Sequence, residues 1–163
     1  MGAHAIREGL PEAGRVVGEL CEIMQPAFLS LDEVLEIHAQ HIQLYGGSQG
    51  LRDAAALESA VATPQATFDC EFLHTSIPAM AAAYLYHLCQ NHPFIDGNKR
   101  AGANASIVFL LMNDWEPTFD EEELAELVLS VASSRLAKPA LIAIFEAKCR
   151  LIEDQDRSET RSK

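Results

Sequence analysis

The sequence predicts an all-α protein, a compact bundle of about six helices, and three observations carry that reading. Apolar residues recur at helical spacing in one segment after another, each such segment opens on a capping residue or a well-placed proline, and strand-like alternation is nearly absent. Ser30 followed by Glu33 forms a capping box, in which each side chain serves a free amide at a helix start. Leu31, Val34, Leu35, Ile37, His38, Ile42 and Leu44 then fall mostly at helical spacing, and Gly46-Gly47 ends the segment. After the turn Gly46–Gly50, Asp53 caps a second helix through Leu57 and Val61 that stops before Pro64. Thr67–Thr75 reads as loop, with room for one small β-hairpin near Thr63–Cys70. Pro78 suits a first helical position and opens an apolar helix from Ala79 to about Gln90. A second apolar helix runs from about Asn98 to Met112, and its continuous Ile107, Val108, Leu110 and Leu111 predict a central position. Asp120 caps Glu121–Ala132, whose first-turn acids complement the helix dipole, and Pro139 opens a last helix through Leu151.

Composition narrows the function. The chain has 163 residues, which suits one domain, and 48% of them are hydrophobic, enough for a sizeable core. Residues 1–27 read as a weakly patterned N-terminal arm, 28–152 as the folded domain and 153–163 as a polar C-terminal tail. Twelve basic side chains against 24 acidic ones give a formal charge of −12, which argues against nucleic acid or an anionic membrane as a partner. No apolar run approaches the ~18 residues of a membrane span. Glu19 and Glu22 break Val16–Met24, so no signal-peptide core is expected there. The four cysteines include no C-x-x-C pair, which suggests neither a disulfide framework nor a thiolate zinc site. These features together predict a cytoplasmic protein with reduced thiols.

The most informative stretch joins the two most apolar helices: Asn91-His92-Pro93-Phe94-Ile95-Asp96-Gly97-Asn98-Lys99-Arg100. A bundle that only had to turn there would use a few small polar residues. Pro93 disfavours helix at His92 and fixes the chain direction. Phe94 reads as an anchor that pins the loop to the core. Gly97 can take a positive φ, letting successive backbone amides turn inward as an anion nest where the next helix dipole favours the same charge. Lys99 and Arg100 add a point charge and a forked donor for phosphate. Asp96 is a hard oxygen ligand suited to Mg²⁺ beside phosphate oxygens. His92 is the side-chain type best suited to accept a hydroxyl proton near neutral pH. These parts describe transfer of a phosphorus-centred group from a nucleotide to an alcohol.

This loop resembles the signature of the Fic/Doc (Fido) domain family. With Lys99 where most Fic proteins have glycine, it is similar to the death-on-curing (Doc) toxin branch. Upstream blocks add to the likeness: Phe28-Leu29-Ser30-Leu31 with His38, then Gly46-Gly47 through Gly50-Leu51-Arg52-Asp53, with Leu57-Glu58-Ser59-Ala60. The resemblance spans roughly Phe28 to Cys149. It implies a compact Fic/Doc-like bundle in which His92 activates the target hydroxyl and Asp96 holds Mg²⁺. Gly97, Asn98 and Lys99 would form the phosphate nest, and Arg100 would hold phosphate charge. Adenylylating Fic proteins usually carry a second arginine where this chain has Ala103, whereas Gly97 is the residue of ordinary Fic loops. The resemblance therefore implies phosphoryl transfer from ATP to a Ser or Thr hydroxyl of a protein, an elongation factor in the Doc branch, inhibiting translation. AMP transfer to a protein hydroxyl is the alternative reaction, and a non-catalytic nucleotide- or partner-binding module is the alternative of another class. Self-silencing Fic proteins carry an [S/T]-x-x-x-E-[G/N] helix. Thr118 to Glu122 has that spacing but is followed by Glu123, so control by a small cognate antitoxin protein is expected.

The other candidates read as structural. Arg52 and Asp53 can line the cleft, although Asp53 also reads as a helix cap beside a surface arginine. His38 and His41 lack a matched third ligand and read as core or helix-face residues, as do His74 and His87. Cys89 reads as a small buried hydrophobe, and Asp120–Glu123 as a helix start.

Overall fold

The computed structural model describes residues 25–153; most of the N-terminal arm and of the polar tail lies outside the described residues. In chain order come α1 (Leu31–Tyr45), α2 (Ala54–Ala62), a 3₁₀ turn (Thr63–Gln65), β1 (Thr67–Phe68), β2 (Glu71–Phe72) and α3 (Ile77–Asn91). Then follow α4 (Asn98–Met112), β3 (Trp115–Pro117), α5 (Glu121–Ala132), α6 (Lys138–Lys148) and β4 (Cys149–Leu151). The fold is a mostly helical bundle with two small two-stranded sheets.

The helix starts follow the local chemistry. Ser30 and Glu33 form the reciprocal capping box, Asp53 accepts from the Ala56 amide, and Asp120 pairs with Glu123 in a second box. Thr118 is held by Lys148, whose carbonyl accepts from both its amide and its hydroxyl, so the stretch leading to Glu122 is a strand-to-helix junction. At α3 the cap is Ser76, and Pro78 sits in the first turn one residue inside the start.

Two readings are corrected. The hairpin expected near Thr63–Cys70 is present but starts later and ends two residues further on, because Thr63–Gln65 forms a 3₁₀ turn around Pro64; the strands pair Thr67 with Phe72 and Phe68 with Glu71. Asp69 and Cys70 both have positive φ (51° and 64°), a primed-turn geometry that usually advertises itself through glycine or asparagine. The last helix stops at Lys148 rather than Leu151. Cys149 turns extended, and β4 pairs antiparallel with β3, setting Glu116 opposite Arg150. Their side chains form an ion pair at 2.6 Å. Neither three-residue strand is long enough to show a period, and each needs its distant partner to exist.

The centre of the bundle is α3, with eleven of its fifteen residues buried. Small side chains on α4 let it pack closely on α3. Ala101, Gly102, Ala105 and Ser106 face α3, and a Cβ on Gly102 would stand 3.1 Å from the Leu85 carbonyl oxygen. The apolar run expected to make α4 central is only partly enclosed, since Leu111 is 50% exposed. Phe109, Tyr84, Phe145 and Leu141 close the core between α3, α4 and α6. The α3–α4 connection is thus held at both ends by the most tightly packed pair in the molecule.

Candidate active site

Helix α3 ends because Pro93 disfavours helical backbone at the residue before it, and His92 takes the left-handed conformation (φ 46°, ψ 53°) as its C-cap. The carbonyls freed there are collected by the turn before α2. Arg52 Nε donates to the His92 carbonyl at 2.6 Å and Nη2 to that of Asn91 at 2.9 Å. The amides of Arg52 and Asp53 both donate to the Pro93 carbonyl, at 2.7 and 3.0 Å. Leu51 bridges Phe94, and the Ile95 amide donates to the Gly50 carbonyl, so residues 50–53 run zipped along the loop.

Phe94 is the expected anchor. Its ring is 2% exposed and stacks on His38, the planes 3° apart and the centroids 3.7 Å apart. The same imidazole bonds the Asp96 carbonyl oxygen through Nε2 at 2.7 Å. His38 is a core histidine, as the sequence indicates, and it also seats both sides of the loop from 58 residues away. Asn98 closes the loop on itself. Its Oδ1 accepts from the Phe94 amide (2.9 Å), and its Nδ2 donates to the Phe94 carbonyl (3.0 Å). The Asn98 side chain is therefore a clamp, and what it offers a ligand is its backbone amide.

Helix α4 starts at Asn98 with Gly97 as N-cap at φ 79°. The first intrahelical bond runs from the Ala101 amide to the Gly97 carbonyl, which leaves the amides of Asn98, Lys99 and Arg100 without an intrahelical acceptor at the positive end of the dipole. The Gly97 amide points elsewhere, donating to Asp96 Oδ1 at 2.7 Å. Asp96 Oδ2 accepts from the Ser48 amide at 3.2 Å. These two amides, Ser48 first, and then the nearby Arg100 charge hold the Asp96 carboxyl below the usual carboxylate range, so it is ionised at neutral pH. An exposed, ionised carboxylate fits Mg²⁺, which commonly takes one or two protein carboxylates and completes its shell with water and phosphate oxygens. Among the described residues no cluster of three or more His, Cys, Asp or Glu could hold a metal by itself.

The sequence candidates divide between two neighbouring depressions. His92, Arg52, Phe94, Ile95 and Asn98 line an open cleft of about 410 Å³. Lys99 and Arg100 instead line an apolar groove against α5, with Ala103, Glu121, Leu124 and Leu129. Arg100 also donates from Nη1 to the Gly46 carbonyl at 3.2 Å, where the negative end of α1 favours a cation. Asp53 serves α2 as its cap. Arg52 is exposed and also lines the cleft beside His92, with its Nε and Nη2 on the α3 carbonyls.

Remaining histidines stand apart from the cleft lining. His41 bonds the Asn104 side chain, and burial and then Arg100 push its pKa down. His87 accepts from Lys138 Nζ at 3.0 Å, and burial, then that ammonium, pulls it down to about 4. Burial raises the Cys89 thiol to about 12, as suits an inert buried side chain.

Known proteins repeat this arrangement of sequence. The family model for the Fic/DOC family matches residues 28–110. The protein kinase doc of Escherichia phage P1 is 31% identical over 109 residues, 67% of this chain and 85% of that protein. The toxin Doc of Mycolicibacterium smegmatis is 36% identical over 91 residues, 55% of this chain and 70% of that protein. The matched span takes in the zipped turn, the clamp and the amide-rich start of α4, and the chain belongs to the Fic/DOC family, within its Doc branch.

Proposed function

We propose that this chain is the toxin of a toxin–antitoxin pair and that it transfers the γ-phosphoryl group of ATP to a Ser or Thr hydroxyl of a protein. The carrying observation is that His92 lines one cleft with Asn98, the first residue of α4, whose N-terminal amides lack intrahelical acceptors. The relatives support the choice of reaction, since one is named a protein kinase and the other a toxin. A translation elongation factor is the proposed target class, a small antitoxin protein the proposed regulator and the cytoplasm the proposed setting.

In this reading the His92 imidazole takes the proton of the target hydroxyl as its oxygen attacks the γ-phosphorus. The bond to the β–γ bridging oxygen breaks, and ADP leaves. The amides of Asn98, Lys99 and Arg100, with the α4 dipole behind them, bind the phosphate oxygens; Lys99 and Arg100 offset the field of an acidic chain. Asp96 would hold Mg²⁺, which when bound supplies neutralising charge on the phosphates. Phosphoryl transfer asks mainly for positioning, and a loop locked by His38, Phe94 and Asn98 supplies it without reorganisation at the moment of reaction.

Two labelled ATP molecules test the reading. Label from the γ-phosphate on the target is expected; label from the α-phosphate means AMP transfer, and bound nucleotide with neither label means a binding module. His92→Ala is expected to abolish transfer while keeping the fold, because the side chain is exposed. Transfer at the wild-type rate in that variant removes His92 as the base.

A further inference from the structure

Three successive carbonyls, those of Asn91, His92 and Pro93, all accept hydrogen bonds from residues 52 and 53, and Arg52 alone donates to each of the three. The middle one belongs to the residue held left-handed at the end of α3. A non-glycine residue keeps that conformation only where its surroundings over-determine it. Pro93 removes the option of continuing the helix but does not choose among the extended and left-handed alternatives. The forked guanidinium does: its two donor nitrogens reach the Asn91 and His92 carbonyls together, which fixes the relative orientation of two successive peptide planes. The Arg52 amide then fixes the third from the same residue, and Asn91 is tied in turn to α2 through its Nδ2 and the Ala56 carbonyl at 3.1 Å.

We infer that Arg52 is the positioning residue for His92, a peptide clamp that sets the direction of the imidazole over the cleft rather than a phosphate ligand. The inference rests on the reading of His92 as the proton acceptor. A second feature separates it from simple structural support. Arg52 is exposed and lines the cleft, yet two of its guanidinium nitrogens are spent on backbone carbonyls. Nε and Nη2 therefore answer the negative end of α3 and are not available to a nucleotide.

The test compares Arg52→Ala and Arg52→Lys with the wild type, with His92→Ala as reference, in the γ-label transfer assay. Binding of a non-hydrolysable ATP analogue is measured by calorimetry in parallel. Loss of the clamp is expected to lower kcat about 100-fold, the scale of an ångström-sized misplacement, while analogue affinity stays within about threefold. Arg52→Lys is expected to recover little, because one ammonium cannot bridge both carbonyls with fixed geometry. Millimolar guanidinium is expected to restore at least tenfold of the lost kcat in Arg52→Ala and none in His92→Ala. Wild-type kcat in Arg52→Ala beside a dead His92→Ala overturns the clamp and leaves the base reading standing. Loss confined to analogue affinity overturns it as well, by making Arg52 a ligand. An active His92→Ala removes the base reading and the clamp with it. Should Arg52→Ala fail to fold, Arg52→Lys carries the test, and a wild-type kcat there refutes the need for the fork.

Discussion

Replacing Gly47 by alanine isolates the link between the α1–α2 turn and Asp96. Gly47 has φ 121°, and an added Cβ would stand 2.6 Å from Asp96 Oδ2 and 3.0 Å from Ile42 Cδ1. A residue with a side chain in that backbone region costs about 1–3 kcal/mol, which for a chain of this size lowers Tm by about 2–12 °C. The contact at 2.6 Å cannot persist, so the carboxylate must swing away from the Ser48 amide that now fixes it. Gly46→Ala supplies the control: φ is 78° there too, but nothing lies within 4 Å of the added atom, so it carries the backbone cost alone. Both variants are expected to melt earlier in a circular-dichroism scan. Only Gly47→Ala is expected to need several-fold more Mg²⁺ for half-maximal transfer. Equal Mg²⁺ midpoints in the two folded variants would show that the turn does not orient Asp96 and would refute the reasoning.

Three further expectations follow from the same geometry. Asn98→Ala removes both bonds to the Phe94 backbone and should cost about 1–3 kcal/mol in urea denaturation; Asn98→Asp, which sets a carboxylate oxygen against the Phe94 carbonyl, should cost more, and a reversed order would sink the clamp. His87 is held neutral by burial and Lys138, its folded pKa of about 4 lying below the unfolded value of 6.5. Between those values the unfolded chain binds more protons, so this contribution is complete above pH 6.5 and is lost as pH falls toward 4. Partial solvation reduces it to about 1–2 kcal/mol; urea midpoints at pH 7 and 4.5 should lie closer together in His87→Gln than in the wild type, and identical pH slopes would contradict it. Chelating divalent cations should stop transfer, as should Asp96→Asn, and activity indifferent to chelator would count against Asp96 as the ligand.

Much of the helical frame was legible because its signals are short-range. A capping box spans four residues, a proline acts on its neighbours, and amphipathic spacing repeats within a turn or two, so Ser30, Asp53 and Asp120 announce their helices without help from the rest of the chain. The strands were harder to read for the opposite reason. The β3–β4 pair joins segments 34 residues apart through three residues each, and the β1–β2 turn uses Asp69 and Cys70 where glycine would have signalled it.

The chemistry of the site divides along the same line. The sequence by itself determined which groups stand between α3 and α4, because an imidazole, a carboxylate, a glycine and two cations are adjacent in the chain whatever the bundle does. Only the tertiary structure decided how they are used. It spent the Asn98 side chain and the Gly97 amide inside the loop, sent Lys99 and Arg100 to the α5 groove, and brought His38 and Arg52 from 58 and 40 residues away to hold the loop still. The physical reason is that hydrogen bonds and stacked rings are made to whatever packing brings within about 3–4 Å, and packing is a property of the whole core that no local stretch of residues contains.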